Sequence, residues 1–119
     1  MSLQPEQAPR QRSLELLTRV ERLILNFSPS IDRIPRSQRY RYAARLEAAL
    51  WELAERIIEA ACSGAKSKVY RADEQVRLLH CLIRHGASRE LIKPRAAGER
   101  SAELAEIGAM LGAWRKKFQ

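Results

Sequence analysis

Apolar residues recur at alternating spacings of three and four through four successive stretches of this chain, and few folds accept that pattern. In the first stretch Leu17, Val20, Ile24, Phe27, Ile31 and Ile34 carry the steps, and in the second Ala43, Leu46, Leu50, Leu53, Ile57 and Ala60. The third has Val69, Ala72, Val76, Leu79 and Ile83, and the fourth Leu104, Ile107, Leu111, Trp114 and Phe118. Such steps gather side chains on one stripe of a helix, whereas a strand needs period two, which no segment sustains. Their mean of about 3.5 suits helices packed side by side at about +20°. The expectation is an all-α, up-down-up-down antiparallel four-helix bundle.

Three breaks separate the stretches. Ile34-Pro35-Arg36-Ser37 and Ser63-Gly64-Ala65-Lys66-Ser67 are short and make neighbouring helices antiparallel. The third, Gly86 to Gly98 around Pro94, is long for a bundle and is either functional or a longer crossover. Ser13, Ser37 and Ser67 are placed to cap helices 1, 2 and 3, and Gly64 to end helix 2 with positive φ. Glu99 and Glu103 early in helix 4, and Lys116 and Lys117 in its last turn, agree with the helix dipole. Pro29 should kink helix 1. Gly108 and Gly112 cost helix stability, so a close helix approach is expected to offset them. Residues 1–12 read as a disordered arm and 13–119 as one bundle domain.

Composition narrows the function. The chain has 119 residues, 45% of them apolar, enough for one domain with its own core and too many for a disordered chain. No apolar run spans a membrane. The polar start MSLQPEQAPRQR has no secretory h-region, so Cys62 and Cys81 read as free thiols in a reducing cytoplasm. With 22 Lys+Arg against 14 Asp+Glu the net charge is +8, which suits an anionic partner.

The expected topology sends that charge to one end. Arg33, Arg36, Arg39, Arg41, Arg45, Arg84, Arg89, Lys93, Arg95 and Arg100 gather there against Asp32, Glu90 and Glu99. Arginine suits bidentate phosphate contacts. In RSQRYRYAAR, Tyr40 and Tyr42 interleave with arginines and no acid intervenes, a weak nucleic-acid signature. A plain solvated face fits the same residues. Arg77, His80 and Arg84 form a second polar strip on helix 3, open to the same two readings. Leu78 and Leu82, Leu16, Leu23 and Leu25, Trp51 and Met110 lie off the strict stripes. A helix buries a wide face, so some of these are ordinary core; the remainder is more apolar surface than a lone small bundle hides, which points to a homo-oligomer.

Nothing in the chain suggests an enzyme, a metal or a cofactor. Phosphate-loop, dinucleotide and zinc-protease motifs are absent. Cys62, His80, Cys81 and His85 fit no metal-ligand spacing and read as buried or interfacial thiols with neighbouring imidazoles. Glu52, Glu55 and Glu59 lack the Glu-x-x-His partner of a di-iron bundle.

Four stretches together resemble the accessory variability determinant (Avd) proteins of diversity-generating retroelements. They are Val20-Glu21-Arg22, Ile34-Pro35-Arg36, Ser67-Lys68-Val69-Tyr70-Arg71-Ala72-Asp73 and Glu106-Ile107-Gly108-Ala109-Met110-Leu111-Gly112-Ala113-Trp114. The resemblance covers about residues 18–118. It implies a homopentameric, barrel-like ring of four-helix bundles with a basic surface that binds RNA and/or DNA. It also implies partnership with the element's reverse transcriptase and template RNA in mutagenic retrohoming, without catalysis. The family's basic helix 3 face carries over onto Arg77, His80 and Arg84. Arginine is commoner where His80 stands, and a neutral imidazole weakens a phosphate contact. The alternative is an interaction scaffold, like the bundles encoded in rRNA intervening sequences, that touches no nucleic acid.

Overall fold

The computed structural model describes residues 7–118, with side chains from residue 11 onward. Four long helices account for most of them: α1 (Gln7–Asp32), α2 (Ala44–Ser63), α3 (Lys66–Ser88) and α4 (Pro94–Lys116). Side-chain contacts give the sense of each pair. Arg19 meets Glu106 and Asn26 meets Glu103, so α1 and α4 are antiparallel. Arg56 reaches the Arg71 carbonyl and Gln75 the Ala49 carbonyl, so α2 and α3 are antiparallel. Asp73 meets Arg115 while Val76 meets Gly108, which sets α3 against α4 in the same way. The expected all-α bundle is what the chain forms, as a rod of 50 × 28 × 19 Å whose two ends are well separated.

The core follows the predicted stripes on α2, α3 and α4 except at Phe118, which lies past the end of α4 and is exposed. On α1 the fully buried residues are Leu16, Val20, Leu23 and Phe27, with Leu17, Ile24 and Ile31 only partly covered. Leu16 and Leu23 are therefore core, not surplus. A helix lodged between two neighbours buries a face at least 100° wide, broader than a strict seam. Two polar residues, Ser13 and Gln75, are buried among those described, and Gln75 Nε2 donates to the Ala49 carbonyl at 2.9 Å.

Boundaries depart most from expectation. Helix α1 is described from Gln7, so Ser13 lies inside it and not at its start, and the end of the expected arm is helical. Residues 1–6 of that arm lie outside the described residues. The helix runs on through Pro29 to Asp32. Ser37 sits in a 3₁₀ turn, Arg36–Gln38, followed by a π-helical segment, Arg39–Ala43, and no side chain caps either of them or α2. Ser67 is likewise one residue inside α3. Gly64 does end α2 in the left-handed region, φ 66°, its N–H donating to the Ala60 carbonyl at 3.0 Å.

The expected long connection from 86 to 98 shrinks to 89–93, because Pro94 takes the first position of α4, where its missing N–H costs nothing. Glu99 thus lies in the second turn, and the first turn of α4 holds no acid. Helix α3 closes with Glu90 at φ 60°, the Glu90 N–H donating to Ala87 and the Leu91 N–H to Gly86. That is a Schellman closure with glutamate where glycine is usual.

The close approach is made by a different glycine from those expected. A β-carbon on Gly108 would meet Val76 at an ordinary 3.5 Å, and one on Gly112 would meet nothing. On Gly86 it would collide with the Tyr42 hydroxyl and come within 2.8 Å of Cζ and 3.0 Å of Ile92 Cδ1. Tyr42 is buried there, and its hydroxyl donates to the Leu82 carbonyl at 2.5 Å. Burial pushes that phenol up to about 12, against a smaller lowering by a backbone hydrogen bond from Gly86. The contact locks the entry to α2 against the end of α3.

Candidate nucleic-acid interface

The turn after α1, the entry to α2, the end of α3 and the start of α4 share one end of the rod. Arg33 and Lys93 line one cleft with Pro35 and Glu90. Arg39 lines another with Asp32, Tyr40 and Glu47. A π-helical segment carries both tyrosines, and positions two apart on a helix face opposite ways. The Ala44 N–H reaches back five residues to the Arg39 carbonyl, and over this wider turn Tyr42 points into the core while Tyr40 is 87% exposed. Of the two interleaved aromatics, only Tyr40 is available to a ligand.

Arg33, Arg36, Arg39, Arg41, Arg45, Arg89 and Lys93 are exposed, and none forms an ion pair among the described residues. Arg95 pairs with Glu99 at 3.1 Å on an open surface, a contact worth little that leaves it free to exchange partners.

Arg100 does not belong with them. Its side chain is 14% exposed, it donates to the Asn26 carbonyl at 2.9 Å, and it holds Glu103 at 2.5 Å and Glu99 at 3.4 Å. It is a strut between α4 and α1. The flanking Glu99 and Glu103 were a readable hint of this. The Asn26 carbonyl was not.

The helix 3 strip is weaker than its sequence suggests. It lies on the flank of α3 toward α4, where Asp73 binds Arg115 at 3.2 Å and also draws Arg77 to 3.7 Å. Burial, and then the charge of Arg84, lower the His80 pKa below its usual 6.5, so the imidazole is neutral at pH 7. Arg84 is exposed, one guanidinium nitrogen 3.2 Å from Cys81 Sγ. Arg84 is left as the strip's one cation without a carboxylate partner among the described residues.

With this geometry in place, comparison with known families is decisive. The family model for bAvd-like proteins matches residues 14–118. The chain belongs to the bAvd-like family. No curated protein matches it. The match spans the part of the bAvd-like chain that builds all four helices, from Leu14 in α1 to the end of α4.

Two further features bear on what a bAvd-like protein of this shape can do. Both thiols, Cys62 and Cys81, are exposed and free, not buried. Among the described residues no group of three or more His, Cys, Asp or Glu is arranged to hold a metal ion, and no helix is long and apolar enough to cross a membrane. The off-stripe apolar residues also sort themselves. Leu82 and Met110 pack on the core, while Leu25 and Trp51 stay 69% and 50% exposed. These two line a groove of about 640 Å³ between α1 and α2 with Leu17, Ala54 and Ile58.

Proposed function

We propose that this bAvd-like protein is a non-catalytic accessory of a retroelement reverse transcriptase. In this reading it binds the element's template RNA, or DNA made from it, during mutagenic retrohoming. The observation that carries the binding is the set of seven exposed cations without ion-pair partners at one end of the rod. Elsewhere several bases are offset, as Arg19, Arg56 and Arg115 are by Glu106, Glu52 and Asp73, although exposed Arg22, Arg71, Lys116 and Lys117 form no ion pair among the described residues either. Unpaired arginines on one surface raise the local potential and lose no partner when they meet phosphate.

The test is a salt titration of binding to a labelled single-stranded RNA. Five or so phosphate contacts predict a fall in affinity of about a hundredfold between about 50 and 200 mM salt. A protein-docking scaffold would bind the RNA weakly or not at all at any salt.

The same reading includes a homo-oligomer, in which the groove around Trp51 is covered by another copy. Its support is the size and apolarity of the exposed surface on a chain that is 30% charged. Five 13.6 kDa chains would weigh about 68 kDa. Trp51→Glu places a charge in the groove at a half-exposed position that the fold does not need. It is expected to reduce the native mass to a single chain with unchanged helicity. Native mass spectrometry that finds parent and variant alike would remove the groove from the interface.

A further inference from the structure

Of the acids at the basic end, two sit together where a simple phosphate-binding surface would be better without them. Asp32 and Glu47 line the cleft of about 380 Å³ beside Tyr40, with Arg39, Ile31 and Ile34. Neither carboxylate forms an ion pair among the described residues, although Arg39 lines the same cleft. Through charge alone they would only repel a polyanion. The cleft also holds the most exposed large apolar residue described, Tyr40, above an apolar floor.

A nucleobase accounts for every one of these features. Its face stacks on an aromatic ring. Its exocyclic amine donates to a carboxylate, as cytosine N4 does to Asp or Glu. Its ring nitrogens and carbonyls accept from arginine. A base stacked in a duplex cannot enter such a cleft, because its Watson–Crick edge is occupied and both its faces are covered. Uracil and thymine have no exocyclic amine.

We propose that the cleft at Tyr40 is a pocket for one unpaired nucleobase carrying an exocyclic amine, with Tyr40 stacking, Asp32 and Glu47 accepting from the amine, and Arg39 donating to the edge or the adjacent phosphate. This rests on the nucleic-acid reading above and adds base and strand selectivity to it. Selectivity of this kind departs from a surface that meets only phosphate, which is indifferent to base.

The probes are single-stranded oligo(dA), oligo(dC) and oligo(dT) of equal length, and a mixed-sequence duplex, at pH 7.5 and fixed salt. The parent is expected to bind oligo(dC) and oligo(dA) about tenfold more tightly than oligo(dT). Tyr40→Ala should weaken all single strands at least about fivefold and leave the duplex unchanged. Its exposure makes this variant safe for folding, which circular dichroism checks. The double variant Asp32→Ala, Glu47→Ala removes both the charges and the acceptor oxygens, and so separates reading from repulsion. If the acids act only through charge, every probe binds tighter by the same factor. If they read the amine, the preference over oligo(dT) collapses. Equal parental affinity for the three homopolymers overturns the pocket and leaves the nucleic-acid reading standing, as does a Tyr40→Ala loss shared by the duplex. Failure of the parent to bind any probe overturns both.

Discussion

Reversing Arg36, Arg39 and Arg45 to glutamate is expected to abolish nucleic-acid binding at about 150 mM salt while leaving the fold intact. The three side chains are exposed, lie within ten residues and form no ion pair among the described residues, so their removal disturbs no internal contact. The substitutions lower the net charge of +8 by six and place carboxylates where phosphates would lie. Each lost phosphate contact also reduces the salt slope by about 0.7 to 0.9. Anisotropy with a single-stranded probe should show affinity at least about a thousandfold weaker, with circular dichroism and Tm close to the parent's. Arg77→Glu with Arg84→Glu, which lowers the charge by four, is the control on α3. The helix 3 strip has a neutral His80 and an Arg77 drawn to Asp73, so these reversals should cost much less. If the control matches the triple reversal, the interface lies along α3 and not at the end of the rod.

Gly86→Ala is expected to be the most damaging small substitution in the core. The added methyl needs the space held by the Tyr42 hydroxyl and ring, and Ile92 closes the other side at 3.0 Å. Tyr42 would have to move, leaving the Leu82 carbonyl without its hydroxyl donor. Overpacking and a broken buried hydrogen bond together predict a loss of about 2–4 kcal/mol, or roughly 10–20 °C in Tm for a domain of this size. Tyr42→Phe alone should cost about 1 kcal/mol, because it removes the hydrogen bond without adding atoms. In the Tyr42→Phe background Gly86→Ala should be milder, since the first atom in collision is gone. Additive losses in this double-mutant cycle would show that the two residues are not in contact.

The proposed nucleic-acid surface is partly legible in the sequence, for a definite reason. A basic residue in a charge-rich helix can be seen in a sequence, but its availability cannot. Arg33, Arg36, Arg39, Arg41 and Arg45 keep no acid close enough to pair, and they are open. Arg100 looked the same and is a strut, because Asn26, seventy-four positions away, brings a carbonyl to it. Tyr40 and Tyr42 are separated by one residue, yet one is surface and the other core. That difference is readable in the sequence, because Tyr42 lies four positions before Leu46 on the core stripe while Tyr40 falls on the opposite face. The cleft that joins Asp32 and Glu47 draws on the end of α1 and the first turn of α2, so it exists only once those helices pack.

Helix boundaries show the same division. Ser13, Ser37 and Ser67 are good capping residues in isolation, and each lies inside a helical segment. Cap preference is worth about 1 kcal/mol, and burial of a neighbouring turn outweighs it. Pro94 and Gly64 act where the chain places them because their constraint is in the backbone itself and does not depend on context.

What the sequence determined by itself was the number of helices, their antiparallel order, most of the core and the excess of positive charge. All of these follow from the spacing of apolar side chains and from short connections, which act over a few residues. Tertiary structure alone decided which cations are free, which glycine admits a neighbour and where apolar surface is left uncovered. Those depend on atoms distant in the chain arriving within a few ångströms, and a hydrogen bond or a steric collision is settled at that distance.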